Sequence, residues 1–370
     1  MHSDHPISRR DFIGFASAVA TGALLPSCIP DGTLKRPFQM RPVKRPDGMP
    51  IAAPGDVGLD TRSVEAAYRR AFDESELPNI RSLLVARHGI LVAEAYIVDP
   101  ADIGRRSALM SATKSVTSTL AGIALDRGEL TSLDVTVGEL FPGKTRDEEK
   151  NTIRLNDTLT MRAGIDFSND DFSLEMEYGS SQDSVADILG KPLSSAPGTQ
   201  FNYTDASAHL AGAMVQRATG ATLDAYARKH LFPSAGITGF DWLHHRDGLA
   251  YGAYGLFLTP RDFLRFGGSV LRAARAEAGA PVSSEWMAAA TSFQVKPNSG
   301  GDFDYGFLWW LTTDGSAFTA NGHGGQFAYS VPELDLEIVV TADPNSNEDK
   351  VSVSGDVVHE LASLIATGAS

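Results

Sequence analysis

The sequence predicts a mixed α/β fold joined to an all-α lobe. Two β-rich runs, 82–87 and 90–98, lie near the front of the chain, and strand-like runs return only after residue 307. Between them, residues 105–250 carry apolar side chains mostly at helical spacing. We therefore expect one antiparallel sheet assembled from both ends of the chain and flanked by helices. The helical middle would be an insertion, with a cleft between the two parts.

Local patterns predict the individual elements. A helix is expected near 61–72 from its alanines, and His88-Gly89 predicts a hairpin turn between the first two strands. Residues 111–127 have apolar side chains at helical spacing and small residues on the other faces, which predicts a helix buried nearly all round and ending at Gly128. Later elements are strands at 307–312, 317–320, 326–331 and 336–341, a turn at 314–315, and a final helix over 351–366.

Composition excludes several classes of protein. The chain has 370 residues, is 42% hydrophobic and shows no repeats, which predicts a globular protein with a sizeable core. Its net charge of −14 argues against nonspecific binding to nucleic acid, which needs a basic surface. The single cysteine excludes an internal disulfide and a cysteine-built metal site, and the chain has no H-E-x-x-H pattern. We predict no metal, no cofactor and no obligate protein partner.

The N-terminus predicts export. Residues 8–13 form a twin-arginine pattern that leads into an apolar stretch too short for a membrane-spanning helix. That stretch runs into Leu25-Pro26-Ser27-Cys28, which is similar to a lipobox and makes Cys28 a candidate for lipidation and membrane attachment; a plain cleaved signal is the alternative. The expected location is periplasmic or membrane-anchored. The predicted divisions are an export signal over 1–28, a flexible tether over 29–58 and one folded domain over 59–370.

Ser111-Ala112-Thr113-Lys114 is the first candidate for chemistry. Residues three apart share a helix face, so the Ser111 hydroxyl and the Lys114 amine should meet. Burial lowers the pKa of an ammonium toward the neutral form, and a neutral lysine can take the proton of a serine nucleophile. This spacing also occurs by chance, in which case Lys114 only extends from a helix end to solvent.

Two later segments add to this candidate. Tyr203 stands just before a predicted helix, where a phenol at a cleft edge can relay protons or simply pack in the core. Asp205, two residues on, is interpreted as the N-cap of that helix rather than as a catalytic acid. Gly322-His323-Gly324-Gly325-Gln326 stands at the start of a strand-like run, where glycines let the backbone approach a ligand and an N–H can bind an oxyanion; a loose turn is the alternative.

In this order, S-x-x-K, Y-x-D and H-G-G resemble the S-x-x-K, Y-x-N and K-T-G elements of serine β-lactamases and penicillin-binding proteins. The motifs are more similar to those of the class C branch and its relatives, which are esterases, D-aminopeptidases, DD-carboxypeptidases and 6-aminohexanoate-dimer hydrolases. Segments 159–164, 255–262 and 305–310 are similar to further, structural motifs of that family. The resemblance implies a β-lactamase/transpeptidase-like fold over about residues 60–365.

The resemblance also implies roles for the residues. Ser111 would be the acylated nucleophile, Lys114 the general base and Tyr203 the proton relay. The oxyanion would be bound by the N–H groups of Ser111 and Gln326, beside His323 at the position of the family's lysine. Two departures, Asp205 for asparagine and His323 for lysine, reduce the ability to hold the carboxylate of a β-lactam.

Acidic residues without a lysine or arginine among them lie between Arg162 and Lys191. If this segment borders the mouth of the cleft, it would repel anionic substrates; a solvated acidic loop is the alternative. The acidic residues are Asp166, Asp170, Asp171, Glu175, Glu177, Asp183 and Asp187.

From the motifs and their departures, the expected function is an exported serine hydrolase that cleaves carboxylic esters or small amides through an acyl-enzyme. A D-amino-acid peptidase, a DD-carboxypeptidase or a β-lactamase is the enzymatic alternative, and an inactive ligand-binding lipoprotein is the alternative of another class.

Overall fold

The computed structural model describes most of the chain from residue 39 onward. The predicted export signal, Cys28 and the acidic residues from 170 to 177 lie outside the described residues. The described residues are 39–73, 79–169, 181–298, 303–344, 353–367 and 369.

A seven-stranded antiparallel sheet is built from both ends of the chain, as predicted. Its order is β2-β1-β10-β9-β8-β7-β6, so the first strand pairs directly with the last one and β2 forms the edge beside it. The β1–β2 hairpin turns at His88 and Gly89, both with positive φ. The strands are β1 Ile80–Arg87, β2 Ile90–Tyr96, β6 Phe303–Tyr305, β7 Trp310–Thr312, β8 Phe318–Gly322, β9 Gln326–Val331 and β10 Leu336–Ala342.

Both faces of the sheet are covered by helices. Alternation along β1 directs Leu83 and Val85 into one apolar cluster and Leu84 into the other. The first cluster lies under α1, Thr61–Asp73, and the last helix. The second lies under α10, Pro260–Ala274, and continues into the helical lobe. The prediction of a sheet flanked by helices is therefore confirmed.

The middle of the chain forms the predicted helical lobe, and α2, Thr113–Asp126, is its central helix. Every residue of α2 from Thr113 to Ala124 is buried, and Gly128 follows its end with φ of 69°. A three-stranded sheet that the sequence did not predict joins the lobe to the body, with strands β3 Ser107–Ala108, β4 Asp241–Trp242 and β5 Leu256–Leu258. The remaining helices are α3 Val137–Leu140, α4 Glu148–Asn151, α5 Leu155–Leu159, α6 Ser184–Gly190, α7 Asp205–Thr219, α8 Leu223–His230, α9 Phe232–Ala235, α10 Pro260–Ala274, α11 Ser284–Ala290 and α12 Gly355–Ala366.

Residues 39–58, predicted as part of a flexible tether, pack against the body instead. The Met40 carbonyl accepts a hydrogen bond from the Glu94 N–H at 2.8 Å, and the Ala52 N–H donates to the Leu91 carbonyl at 3.2 Å. These contacts cover the open edge of β2, because β2 is the outermost strand of the sheet on that side. The tether prediction is therefore wrong for this stretch, which we call the strap (residues 39–58).

A buried ion pair fastens the strap. Arg261 of α10 contacts Glu94 of β2 at 2.5 Å and Asp47 of the strap at 2.8 Å. The Val43 carbonyl accepts a further hydrogen bond from the same guanidinium at 2.6 Å.

Among the helices of the described residues, none combines the length and apolarity needed to cross a membrane.

Candidate active site

Ser111 lies in a strained turn that opens α2. A single turn of 3-10 helix, Met110–Ala112, carries it, and Met110 has φ of 49°, in the left-handed region that a side chain with a Cβ disfavours. The Leu109 N–H donates to the Leu256 carbonyl at 2.9 Å, which fixes the entry to the turn. Ser111 is half-buried, so its hydroxyl is held in place yet reachable. Backbone strain of this kind is often kept at functional positions.

Lys114 reaches Ser111 as the i, i+3 spacing predicts. Its Nζ donates to Ser111 Oγ at 2.8 Å, to Asp205 Oδ1 at 2.5 Å and to the Ala253 carbonyl at 3.1 Å. The residue is only 1% exposed, so the alternative of a side chain extending to solvent is wrong. All three N–H groups of an ammonium therefore have an acceptor.

The pKa of Lys114 differs from the sequence-based expectation. Burial lowers the pKa of the ammonium, but the charge of Asp205 and the hydroxyl of Tyr203 outweigh it, and the pKa is raised above its ordinary value. The prediction that burial leaves Lys114 neutral is therefore wrong. It considered burial alone and omitted the Asp205 carboxylate. An opposite charge at this distance, together with the Tyr203 hydroxyl, outweighs the effect of burial on the pKa of the ammonium.

Asp205 is not the N-cap of its helix. Thr204 is the cap, since its hydroxyl accepts the Ser207 N–H at 3.2 Å, and Asp205 is the first helical residue. The Asp205 N–H donates to Asn169 Oδ1 at 2.9 Å, which orients the start of α7. Its side chain is thereby free of a capping bond and pairs with Lys114 across the lobe.

Tyr203 lies at the same centre and belongs to an aromatic wall. Its ring centroid is 5.0 Å from Lys114 Nζ. It packs against Trp310 at 5.5 Å and Tyr305 at 6.1 Å between ring centroids, and Phe201 extends the set through Tyr305. Tyr203 and Trp310 are both half-buried, so the wall (Phe201, Tyr203, Tyr305 and Trp310) presents apolar surface next to the nucleophile.

The His323-Gly324-Gly325 segment is the turn between β8 and β9, and its glycines lie against the chain that follows β10. A Cβ on Gly324 would lie 2.7 Å from Pro344 Cα, and one on Gly325 2.6 Å from Val353 Cβ, so both glycines make room for the chain after β10. His323 is exposed at the turn. The turn into a strand is therefore present, and the role of this segment in substrate binding stays a prediction.

The side chain of Gln326 has a structural role, and the oxyanion role of its backbone N–H stays a prediction. Its side chain is fully buried and binds the backbone of Ala342, with Nε2 donating to the carbonyl at 2.8 Å. Gly322, opposite Gln326 in the ladder, lies against the nucleophile turn. A Cβ on Gly322 would lie 2.1 Å from the Leu109 carbonyl and 3.1 Å from the Ala112 nitrogen. Gly322 belongs to the glycine-rich segment that the sequence singled out, but its contact with the nucleophile turn was not predicted.

The predicted acidic segment is only partly described. Asp183 caps α6 by accepting the Ala186 N–H at 3.0 Å and pairs with Lys144. This residue therefore has a structural role. Across the described ranges, no group of three His, Cys, Asp or Glu side chains is arranged to hold a metal ion.

Comparison with known proteins identifies the family. A family model described as Beta-lactamase matches residues 79–362. The chain belongs to the beta-lactamase family. Several solved structures share the fold of this chain. Their sequences are less than 25% identical to it, so the likeness concerns the fold.

Three solved structures of beta-lactamase-like proteins measure the extent of this likeness. One from Bacteroides dorei, provisionally described as a beta-lactamase, has a TM-score of 0.68 at 19% identity and covers 84% of this chain and 99% of its own. One from Bacillus anthracis, provisionally described as a 6-aminohexanoate-dimer hydrolase, has 0.65 at 17%, covering 78% of each chain. A D-stereospecific amidohydrolase from Streptomyces has 0.64 at 14%, covering 84% and 100%. The chain is a serine hydrolase of the beta-lactamase family.

Proposed function

We propose that the protein hydrolyses carboxylic esters or small amides through an acyl-enzyme on Ser111. The observation that carries the proposal is the 2.8 Å contact between Lys114 Nζ and Ser111 Oγ, in a turn that leaves the hydroxyl half-exposed. A buried amine at this distance is placed to take the proton of the attacking hydroxyl.

The reaction then follows from the positions of three side chains. Neutral Lys114 takes the Ser111 proton as Oγ bonds to the carbonyl carbon. The N–H of Ser111, with backbone N–H groups at the end of β8, would stabilise the oxyanion. When the tetrahedral intermediate collapses, the proton passes from Lys114 by way of Tyr203 to the leaving alkoxide or amine. Water then adds to the acyl-enzyme in the reverse sense and releases the acid.

The surroundings of Ser111 favour an uncharged substrate. Asp205 stands where the resembled families have asparagine, and an ionised carboxylate cannot donate a hydrogen bond to a substrate carbonyl. The aromatic wall beside the nucleophile offers apolar contact to an acyl or leaving group. Both features support neutral esters and amides over anionic β-lactams.

A D-aminoacyl amide is the second candidate substrate. The observation that favours it is the fold shared with the D-stereospecific amidohydrolase from Streptomyces. DD-peptide and β-lactam cleavage are weaker candidates on the same scaffold. We also propose that the protein is exported by the twin-arginine route and attached to a membrane through Cys28, on the strength of the sequence patterns at 8–13 and 25–28.

Intact-protein mass after reaction with a fluorophosphonate tests the nucleophile. We expect one adduct on the wild type and none on Ser111→Ala. Ser118→Ala is the matched control, since Ser118 lies on the same helix and is fully buried. It should label like the wild type. Panels of short-chain esters, D-alanyl amides and β-lactams then rank the substrates. The absence of an adduct on folded wild type would refute the hydrolase and favour a ligand-binding protein.

A further inference from the structure

Asp205 and Lys114 form a closed ion pair at the centre of the site. Their side chains are 7% and 1% exposed, and the Nζ–Oδ1 distance is 2.5 Å. The pair joins α2 to α7 over 91 residues of sequence. The Asn169 side chain accepts the Asp205 N–H and so holds the carboxylate toward Lys114.

Three oxygen atoms surround Nζ, and one of them belongs to a buried carboxylate. The Ala253 carbonyl can only accept a hydrogen bond, and an ionised Asp205 carboxylate likewise can only accept. Ser111 Oγ is the third atom in contact. An ammonium ion supplies a proton to each of the three, whereas a neutral amine would donate to Asp205 and Ala253 and accept from the Ser111 hydroxyl. The buried carboxylate 2.5 Å from Nζ decides between the two, because an opposite charge in contact favours the charged form.

We propose that Asp205 is a positioning residue that holds Lys114 as an ammonium ion in the resting enzyme, so that only molecules in which Lys114 has lost a proton acylate Ser111. The inference rests on the proposed function, because it concerns how that nucleophile is activated. In the resting state Ser111 Oγ accepts a hydrogen bond from Lys114. Acylation needs the reverse polarity, with the hydroxyl donating to a neutral amine.

The titratable groups that face Lys114 come from three elements. Asp205 lies on α7, Tyr203 on the segment before it, and Ser111 on the 3-10 turn. Tyr305 of β6 lies behind Tyr203. Asp205 is the carboxylate in direct contact, and replacing it with asparagine keeps the shape while removing the charge. Loss of an opposite charge at this distance shifts an amine's titration by about one to three pH units.

The rate of fluorophosphonate labelling between pH 6 and pH 10 tests the proposal. For the wild type we expect the second-order rate constant to rise about tenfold per pH unit through the neutral range. For Asp205→Asn the same rise should lie about one to three units lower, so that the variant labels at least about tenfold faster at pH 7. Asp102→Asn is the control, since it neutralises a buried carboxylate paired with Arg81 elsewhere in the fold. Its profile should match the wild type, and thermal melts in each buffer verify folding.

The outcomes separate the inference from the proposed function. A wild-type rate that is flat from pH 6 to pH 10 overturns the inference without any variant. Coincident profiles for Asp205→Asn and wild type also overturn it and leave the nucleophile intact. No labelling of the wild type at any pH overturns both the inference and the hydrolase.

Discussion

Glu337 of β10 is a buried acid whose ionisation should make the stability of the protein depend on pH. It is 2% exposed, lies against Gly267 of α10, and accepts a hydrogen bond from the Ser330 hydroxyl through Oε2. Within the described part of the chain, Oε1 has no hydrogen-bond partner. Burial raises the pKa of this carboxyl to about 8. The Glu337→Gln variant replaces it with a neutral group of the same shape.

The size and sign of the effect follow from proton linkage. The pKa in the folded state lies above the unfolded value, so the native protein retains the proton that the unfolded chain releases. Its contribution to stability is complete below about pH 4.5 and is lost as the pH rises to about 8. At about 1.4 kcal/mol per pH unit, the wild type should lose about 4 kcal/mol relative to Glu337→Gln between pH 5 and pH 8.5.

Urea denaturation at several pH values measures this difference. We expect the free energies of unfolding of Glu337→Gln and wild type to diverge in favour of the variant as the pH rises. Glu333→Gln makes the same chemical change at an exposed position four residues earlier and should remain parallel to the wild type. If the Glu337→Gln and wild-type curves also run parallel from pH 5 to pH 8.5, the carboxyl titrates normally and the reasoning is refuted.

Two further substitutions test the packing against the nucleophile turn and the buried ion pair that fastens the strap. Gly322→Ala places a Cβ against the nucleophile turn and should reduce kcat for an ester at least about tenfold, because small misplacements of reacting groups cost up to about 100-fold in rate. Gly268→Ala, with open space around it, is the control. Equal kcat values for the two variants would contradict the steric argument. Arg261→Leu leaves Glu94 buried without its cation and should lower the free energy of unfolding by about 3–5 kcal/mol in urea denaturation. The same change at the exposed Arg106, which pairs with the exposed Asp241, should cost less than about 1 kcal/mol, and similar losses at both positions would refute a special role for the buried pair.

Local sequence patterns predicted the elements whose causes are local. The His88-Gly89 turn, the buried helix α2 and its end near Gly128 depend on residues adjacent to them, and all three are found. The pairing of both chain ends in one sheet was also predicted, because the strand patterns occur only there. The sheet of β3, β4 and β5 was missed because its strands have two or three residues, too few to show alternation.

The errors concern contacts between residues far apart in sequence. Composition made residues 39–58 look like a tether, since neither Glu94 nor Arg261 is near them in the chain. Asp205 was interpreted as a helix cap from its neighbours alone, whereas its partner Lys114 lies 91 residues earlier. The spacing of Ser111 and Lys114 correctly predicted their contact but could not give the charge of the amine, which depends on that distant carboxylate.

The strap also limits how far a membrane anchor could let the domain travel. With residues 29–58 as a free chain, a lipid on Cys28 would allow about 100 Å of reach, at about 3.5 Å per extended residue. Because the Met40 carbonyl is already bound to β2, the twelve residues from Cys28 to Met40 allow only about 40 Å. A lipid-anchored enzyme of this geometry would work within roughly one domain diameter of the bilayer. Its accessible substrates would then be those at or near the membrane surface, and its local concentration there would be high.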